Sequence, residues 1–119
     1  MWPLRLSLRQ AQGRSWEQAA LLHLKRQGLV LAEENFRCKG GEIDLVMRDG
    51  DTFVFVEVRQ RADTEHGGAA ASITPPKIRR LVRAAQCYLL RFSTTPPCRF
   101  DVVAIDGSHI EWLQDVITS

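Results

Sequence analysis

An Asp49-Gly50 pair flanked by two runs of strand-forming residues is the feature that most constrains this chain. Glu42-Ile43-Asp44-Leu45-Val46-Met47-Arg48 precedes it and Thr52-Phe53-Val54-Phe55-Val56-Glu57-Val58-Arg59 follows. Asp-Gly tolerates the positive φ that tight hairpin turns demand, so the two runs read as the arms of a β-hairpin. With Asp49 and Gly50 as the two turn residues, Arg48 faces Asp51, Asp44 faces Phe55 and Glu42 faces Glu57. Opposed side chains share a face, and the face alternates at every residue. One face then carries Ile43, Leu45, Val54, Val56 and Val58 and is core. The other carries Glu42, Asp44, Phe53, Phe55, Glu57 and Arg59.

That second face is the anomaly. It makes Asp44 and Glu57 diagonal neighbours within otherwise apolar strands, where two like charges repel and their burial costs several kcal/mol. A divalent cation relieves the conflict, because Mg²⁺ takes one or two carboxylates together with water and phosphate oxygen. Geometry alone leaves two readings open: a metal site, and an acidic patch on the wet side of an antiparallel sheet.

The rest of the chain supplies layers to cover such a sheet. Ser15 is a good N-cap for a helix whose apolar stripe runs through Trp16, Ala19, Ala20 and Leu24 and stops at Gly28. An uneven strand over Leu29–Arg37 leads into the turn Lys39-Gly40-Gly41. Residues 62–74 form a polar loop rich in Gly and Ala, expected to be mobile. Pro75-Pro76 opens a second helix with Ile78, Leu81, Val82, Ala85, Leu89 and Phe92 on one side. Arg99–Ile105 is a further strand, Asp106-Gly107 a turn, and Ser108–Trp112 a short last strand. Helix, three strands, helix, two strands is an α/β order that favours a mixed sheet flanked by helices.

The 119 residues, 45% apolar and 25% charged, fit a single folded domain over residues 14–119, preceded by a flexible leader over residues 1–13. The formal charge of +2 names no partner, but its distribution is uneven. No acid occurs between Glu65 and Asp101, a stretch that contains Lys77, Arg79, Arg80, Arg83, Arg91 and Arg99. An acidic pole beside a basic one suits a metal-dependent enzyme acting on a polyanion, and equally an amphipathic helix with a solvated basic side. Cys38, Cys87 and Cys98 form no Cys-x-x-Cys pair, which argues against a zinc site or a disulfide framework and for a reducing, cytoplasmic location. No apolar run approaches the ~20 residues that span a bilayer.

Gly41-Glu42-Ile43-Asp44-Leu45-Val46, a hairpin, and Val54-Phe55-Val56-Glu57-Val58-Arg59 resemble the PD-(D/E)XK nuclease superfamily. There an Asp on one strand and a Glu-x-Lys on the next form the site. The chain is more closely similar to the YraN family of small bacterial proteins. Gly13-Arg14-x-x-Glu17, Asn35-Phe36-Arg37, the helix bearing Lys77 and Arg99-Phe100-Asp101-Val102-Val103 carry that likeness, in order, over residues 13 to 115. The resemblance implies a restriction-endonuclease-like fold, as in Holliday-junction resolvases. It implies Asp44, Glu57 and the Val58 carbonyl as ligands of Mg²⁺ or Mn²⁺, with Glu17 as an additional acid. It also implies a DNA substrate and, by analogy with the resolvases, a homodimer. The chain departs from the pattern at Arg59, which stands where the superfamily has Lys. Arginine stays protonated and cannot serve as a base, although it still contacts phosphate. Lys77 is a candidate to supply the missing amine.

The expected function is therefore metal-dependent cleavage of DNA phosphodiesters. Glu17, Asp44, Glu57 and Arg59 are the catalytic candidates, and Lys77, Arg80 and Arg83 track the nucleic-acid backbone. The alternatives are a non-catalytic nucleic-acid-binding protein on a nuclease scaffold and a protein-interaction module with a basic helix. Trp16 and Trp112 read as core aromatics, and Glu17 has a plainer reading as an acid favoured near a helix N-terminus.

Overall fold

The computed structural model describes residues 8–60 and 73–117, with side chains of the first helix from Ser15 onward. Most of the loop over residues 62–74, including His66, lies outside the described residues. The order is α1 (Leu8–Arg26), β1 (Val30–Cys38), β2 (Gly41–Asp49), β3 (Thr52–Gln60), α2 (Pro75–Leu89), β4 (Cys98–Asp106) and β5 (His109–Leu113). The five strands form one sheet in sequence order. All neighbours pair antiparallel except β3 and β4, which are parallel. A parallel pair needs a crossover, and the segment containing α2 provides it.

Each helix covers one face of the sheet. Ala20, Leu21 and Leu24 of α1 pack with Leu45, Met47, Val54, Val56, Val103 and Ile105. Trp16 and Trp112 lie against this cluster, as core aromatics should. On the other face Leu81, Ala84, Ala85 and Tyr88 of α2 pack with Ile43, Val46 and Phe55. Phe53 and Phe55 thus sit under α2, so neither side of the hairpin is the wet side of a sheet. This three-layer mixed sheet is consistent with the restriction-endonuclease-like architecture. No helix among the described residues is long and apolar enough to cross a membrane. All three cysteines are free.

Two local expectations are corrected. Helix α1 begins at Leu8, so Ser15 lies inside it and is not its cap. Gln, Arg and Ala in residues 9–14 are good helix formers, and they outweigh the single Gly13. In the hairpin, Asp49 pairs with Thr52 and Arg48 with Phe53, which makes Gly50-Asp51 the turn. Gly50 takes the positive φ of 61°. The register is thereby displaced two residues from the expected one. Displacement by two preserves which side chains share a face, but it changes their partners. Leu45 and Val56 are the last pair of this ladder, and Asp44 and Glu57 are the residues immediately beyond it.

Strand β2 also changes sides at that point. Ile43 packs under α2 while Leu45 packs under α1, although residues two apart in a regular strand point the same way. The neighbouring strand is irregular too. Its register slips between Leu31 and Glu33, and Asn35 has a φ of 51°. Asp44 therefore lies at a twist in the sheet, not in a continuous ladder.

Candidate carboxylate site between the two helices

The twist explains how a carboxylate can occupy the middle of an apolar strand. Asp44 does not belong fully to either core cluster, and it engages the backbone that β3 leaves open. The Val58 amide donates a hydrogen bond of 2.8 Å to Asp44 Oδ2. That bond fixes the Asp44 carboxylate beside Glu57. The Asp44 and Glu57 carboxyls lie close enough to act on each other, and two such acids side by side favour keeping a proton on one of them. Burial, then the Asp44 hydrogen bond and charge, push the Glu57 carboxyl up to about 8, while Arg59 opposes the shift. At neutral pH Glu57 thus keeps its proton when no cation is there to replace it.

Glu17 joins the pair from α1. Burial and the charges of Asp44 and Glu34 raise its carboxyl above the ordinary range. Its Oε1 is shielded from solvent and has no hydrogen-bond partner. Glu17 is the tenth residue of α1, counting from Leu8. The helix dipole is felt only in the first and last turns, so it does not account for an acid this far in.

From the α2 side, Lys77 and Arg80 line a cleft with Glu42 and Glu57. Burial and the nearby Arg59 cation lower the Lys77 ammonium, against the pull of Glu57. Arg59 itself has its Nε shielded and without a partner. Arg83 stands apart from the carboxylates, at the turn between β1 and β2, where its Nε reaches the Lys39 carbonyl at 3.5 Å.

Sequence reasoning overlooked Glu42 as a bridge. Its two oxygens each lie 3.6 Å from a guanidinium, that of Arg37 on β1 and that of Arg80 on α2. It also missed the second cleft, lined by Glu17, Gln18, Glu34 and Asn35. The only local signal for either was Asn35, a residue type that tolerates a left-handed backbone.

Carboxylate oxygens, one of them without a partner, are the donor type that a hard divalent cation takes. No three side chains of acid, imidazole or thiol type come close enough among the described residues to cage an ion by themselves.

Asp101 is not part of this site. It is fully buried, and it accepts bonds from Arg99 Nε at 3.1 and 3.2 Å, from Trp112 Nε1 at 2.9 Å and from the Asp115 amide at 2.9 Å. It is a structural hub that ties β5 and the C-terminal segment to β4.

The model of the uncharacterised protein family UPF0102 matches residues 16–105. The UPF0102 protein of Herminiimonas arsenicoxydans is 60% identical over 111 residues, covering 93% of this chain and 90% of that protein. The UPF0102 protein of Janthinobacterium sp. (strain Marseille) is 56% identical over 109 residues, 92% of this chain and 89% of its own. One from Cupriavidus taiwanensis is 62% identical over 107 residues, 89% and 82% respectively.

Proposed function

The chain belongs to the uncharacterised protein family UPF0102, and we propose that it hydrolyses phosphodiester bonds in DNA with a divalent cation, Mg²⁺ or Mn²⁺. The observation that carries this reading is the Asp44–Glu57 pair, two half-buried carboxyls side by side, with Asp44 fixed by the Val58 amide and an unpartnered Glu17 oxygen beside them. A fold does not keep such a cluster for stability, since like charges in low dielectric oppose folding. Asp44, Glu57 and the Val58 carbonyl would hold the cation, with Glu17 acting through bound water. A cation there supplies Lewis acidity toward a phosphate oxygen and lowers the pKa of water.

The chain's own residues do the rest. Arg59, always charged, binds a non-bridging phosphate oxygen as negative charge grows on it. Lys77 brings an amine to the same cleft and can hold the attacking water. Water adds to phosphorus, the bond to the leaving oxygen breaks, and that oxygen takes up a proton. The three free cysteines fit a protein of the reducing cytoplasm.

A second reading, a nucleic-acid-binding protein without cleavage, is favoured by Arg59 in place of lysine. The same experiment separates the two. Purified protein is incubated with labelled duplex and branched DNA in Mg²⁺, in Mn²⁺ and in chelator, beside Asp44→Asn and Glu57→Gln. Metal-dependent cleavage lost in both variants is expected. Binding with no cleavage under any metal would replace the enzyme by the binding protein.

A further inference from the structure

Arginine and lysine side chains gather where the turn between β1 and β2 meets α2. Arg37 and Lys39 come from β1 and its turn, Arg80 and Arg83 from the helix. All four residues are exposed. Sequence separation hides this grouping, since more than forty positions divide the two halves (83 − 39 = 44).

Strand and helix are closely packed at this junction. A Cβ at Gly41 would lie 2.5 Å from the Arg80 carbonyl oxygen and 2.7 Å from the Ala84 amide nitrogen, so only glycine lets the strand reach the helix backbone. Arg83 is fastened to the Lys39 carbonyl at 3.5 Å, and Glu42 holds Arg37 and Arg80 together at 3.6 Å each. One acid thus positions two arginines and leaves the surface strongly positive. The surface begins at Lys77, beside Glu57. From Lys77 to Arg83 the helix rises roughly 9 Å, comparable to two or three phosphates along one strand.

We propose that this junction is a backbone track for duplex DNA, with Arg37 and Lys39 as phosphate contacts that lead strand and substrate into the carboxylate cleft. The aromatic residues argue for a duplex. Single-strand binders present aromatic rings on which bases stack. The chain has nine Trp, Tyr and Phe residues (3 + 1 + 5), and the eight that lie among the described residues are all buried or half-buried. Phe36, nearest the track in sequence, is capped instead by Arg91 and Tyr88. These four side chains carry cationic donors suited to phosphate and no acceptor for the proton of a ribose 2′-hydroxyl.

This inference rests on the phosphodiester reading of the site, but it is tested without cleavage. The full chain is titrated in chelator, over a range of salt concentrations, against a labelled DNA duplex and against one of its strands. The duplex should bind more tightly. Loss of Arg37→Gln and Lys39→Gln together should reduce the slope of log affinity against log salt by about two, and Lys39→Gln alone by about one. Lys25→Gln/Arg26→Gln, exposed at the end of α1, should leave the slope unchanged. Equal or tighter binding of the single strand, or a slope untouched in the double variant, would overturn the track. Cleavage absent while these slopes hold would sink the enzymatic reading alone.

Discussion

At the residue scale, the Asp44–Glu57 pair makes the protein's stability a function of pH and metal. Glu57 holds its proton up to about 8 in the folded chain, against an ordinary value of 4.5. Between those values the folded chain binds a proton that the unfolded chain has released. Stability conferred by the protonated pair is therefore complete below about 4.5 and is lost as pH rises through about 8. In chelator, the melting temperature should fall from pH 5.5 to pH 8.5 by an amount that Glu57→Gln abolishes. Mg²⁺ or Mn²⁺ should restore much of the loss at high pH, because the cation takes the proton's place and its binding releases that proton. A flat, metal-insensitive profile in the parent chain would mean that these carboxylates are solvated and hold no ion. The two acids were legible in the sequence because they interrupt strands that are otherwise apolar. Glu42, Arg37 and Lys39 were not, because an exposed charge acquires meaning only from the element packed beside it.

At the element scale, the same contrast separates what local pattern shows from what packing decides. The hairpin, both helices and the order of elements along the chain follow from hydrophobic period and turn residues, and the unevenness of β1 was visible in Ala32-Glu33-Glu34-Asn35. The turn register was not, since Asp49-Gly50 and Gly50-Asp51 are both acceptable two-residue turns. In the observed turn Gly50 stands first and takes the positive φ. The change of sides between Ile43 and Leu45 was also invisible, because period-two reasoning assumes an unbroken strand. Gly41 was read only as part of a turn, yet it sets how closely β2 approaches α2. Gly41→Ala should cost about 1–3 kcal/mol, as overpacking does when backbone must move. It should also weaken duplex binding, because it parts Lys39 from Arg83 and Glu42 from Arg80. Urea denaturation and the salt titration read the two effects separately, and wild-type binding in a destabilised Gly41→Ala would show that the track does not need that contact.

At the scale of the whole molecule, the sheet divides buried acids that serve folding from buried acids that oppose it. Asp101 and Glu57 are both acids withdrawn from water, on adjacent strands one register step apart, since Val56 pairs with Asp101 and Glu57 with Val102. Their environments differ in sign. Asp101 accepts four bonds, two of them from the Arg99 guanidinium, which itself reaches Asp49 Oδ2 at 3.1 Å. Burial of a carboxylate is offset there by matched donors. Glu57 faces another carboxyl, and only Arg59 and Lys77 temper it. Neutral, isosteric substitution should then move stability in opposite directions. Asp101→Asn places an amide donor against the Arg99 and Trp112 donors, and breaking such a network typically costs about 3–5 kcal/mol. Asp44→Asn keeps an oxygen for the Val58 amide while removing a repulsive charge, so the metal-free chain should gain stability at pH 8 and lose its response to Mg²⁺. Urea denaturation of the two variants, with and without cation, is the measurement. Destabilisation by Asp44→Asn in chelator would make Asp44 a structural acid like Asp101. A stabilised variant that no longer responds to metal would identify the pair as a feature that the fold carries at a cost, as functional sites do.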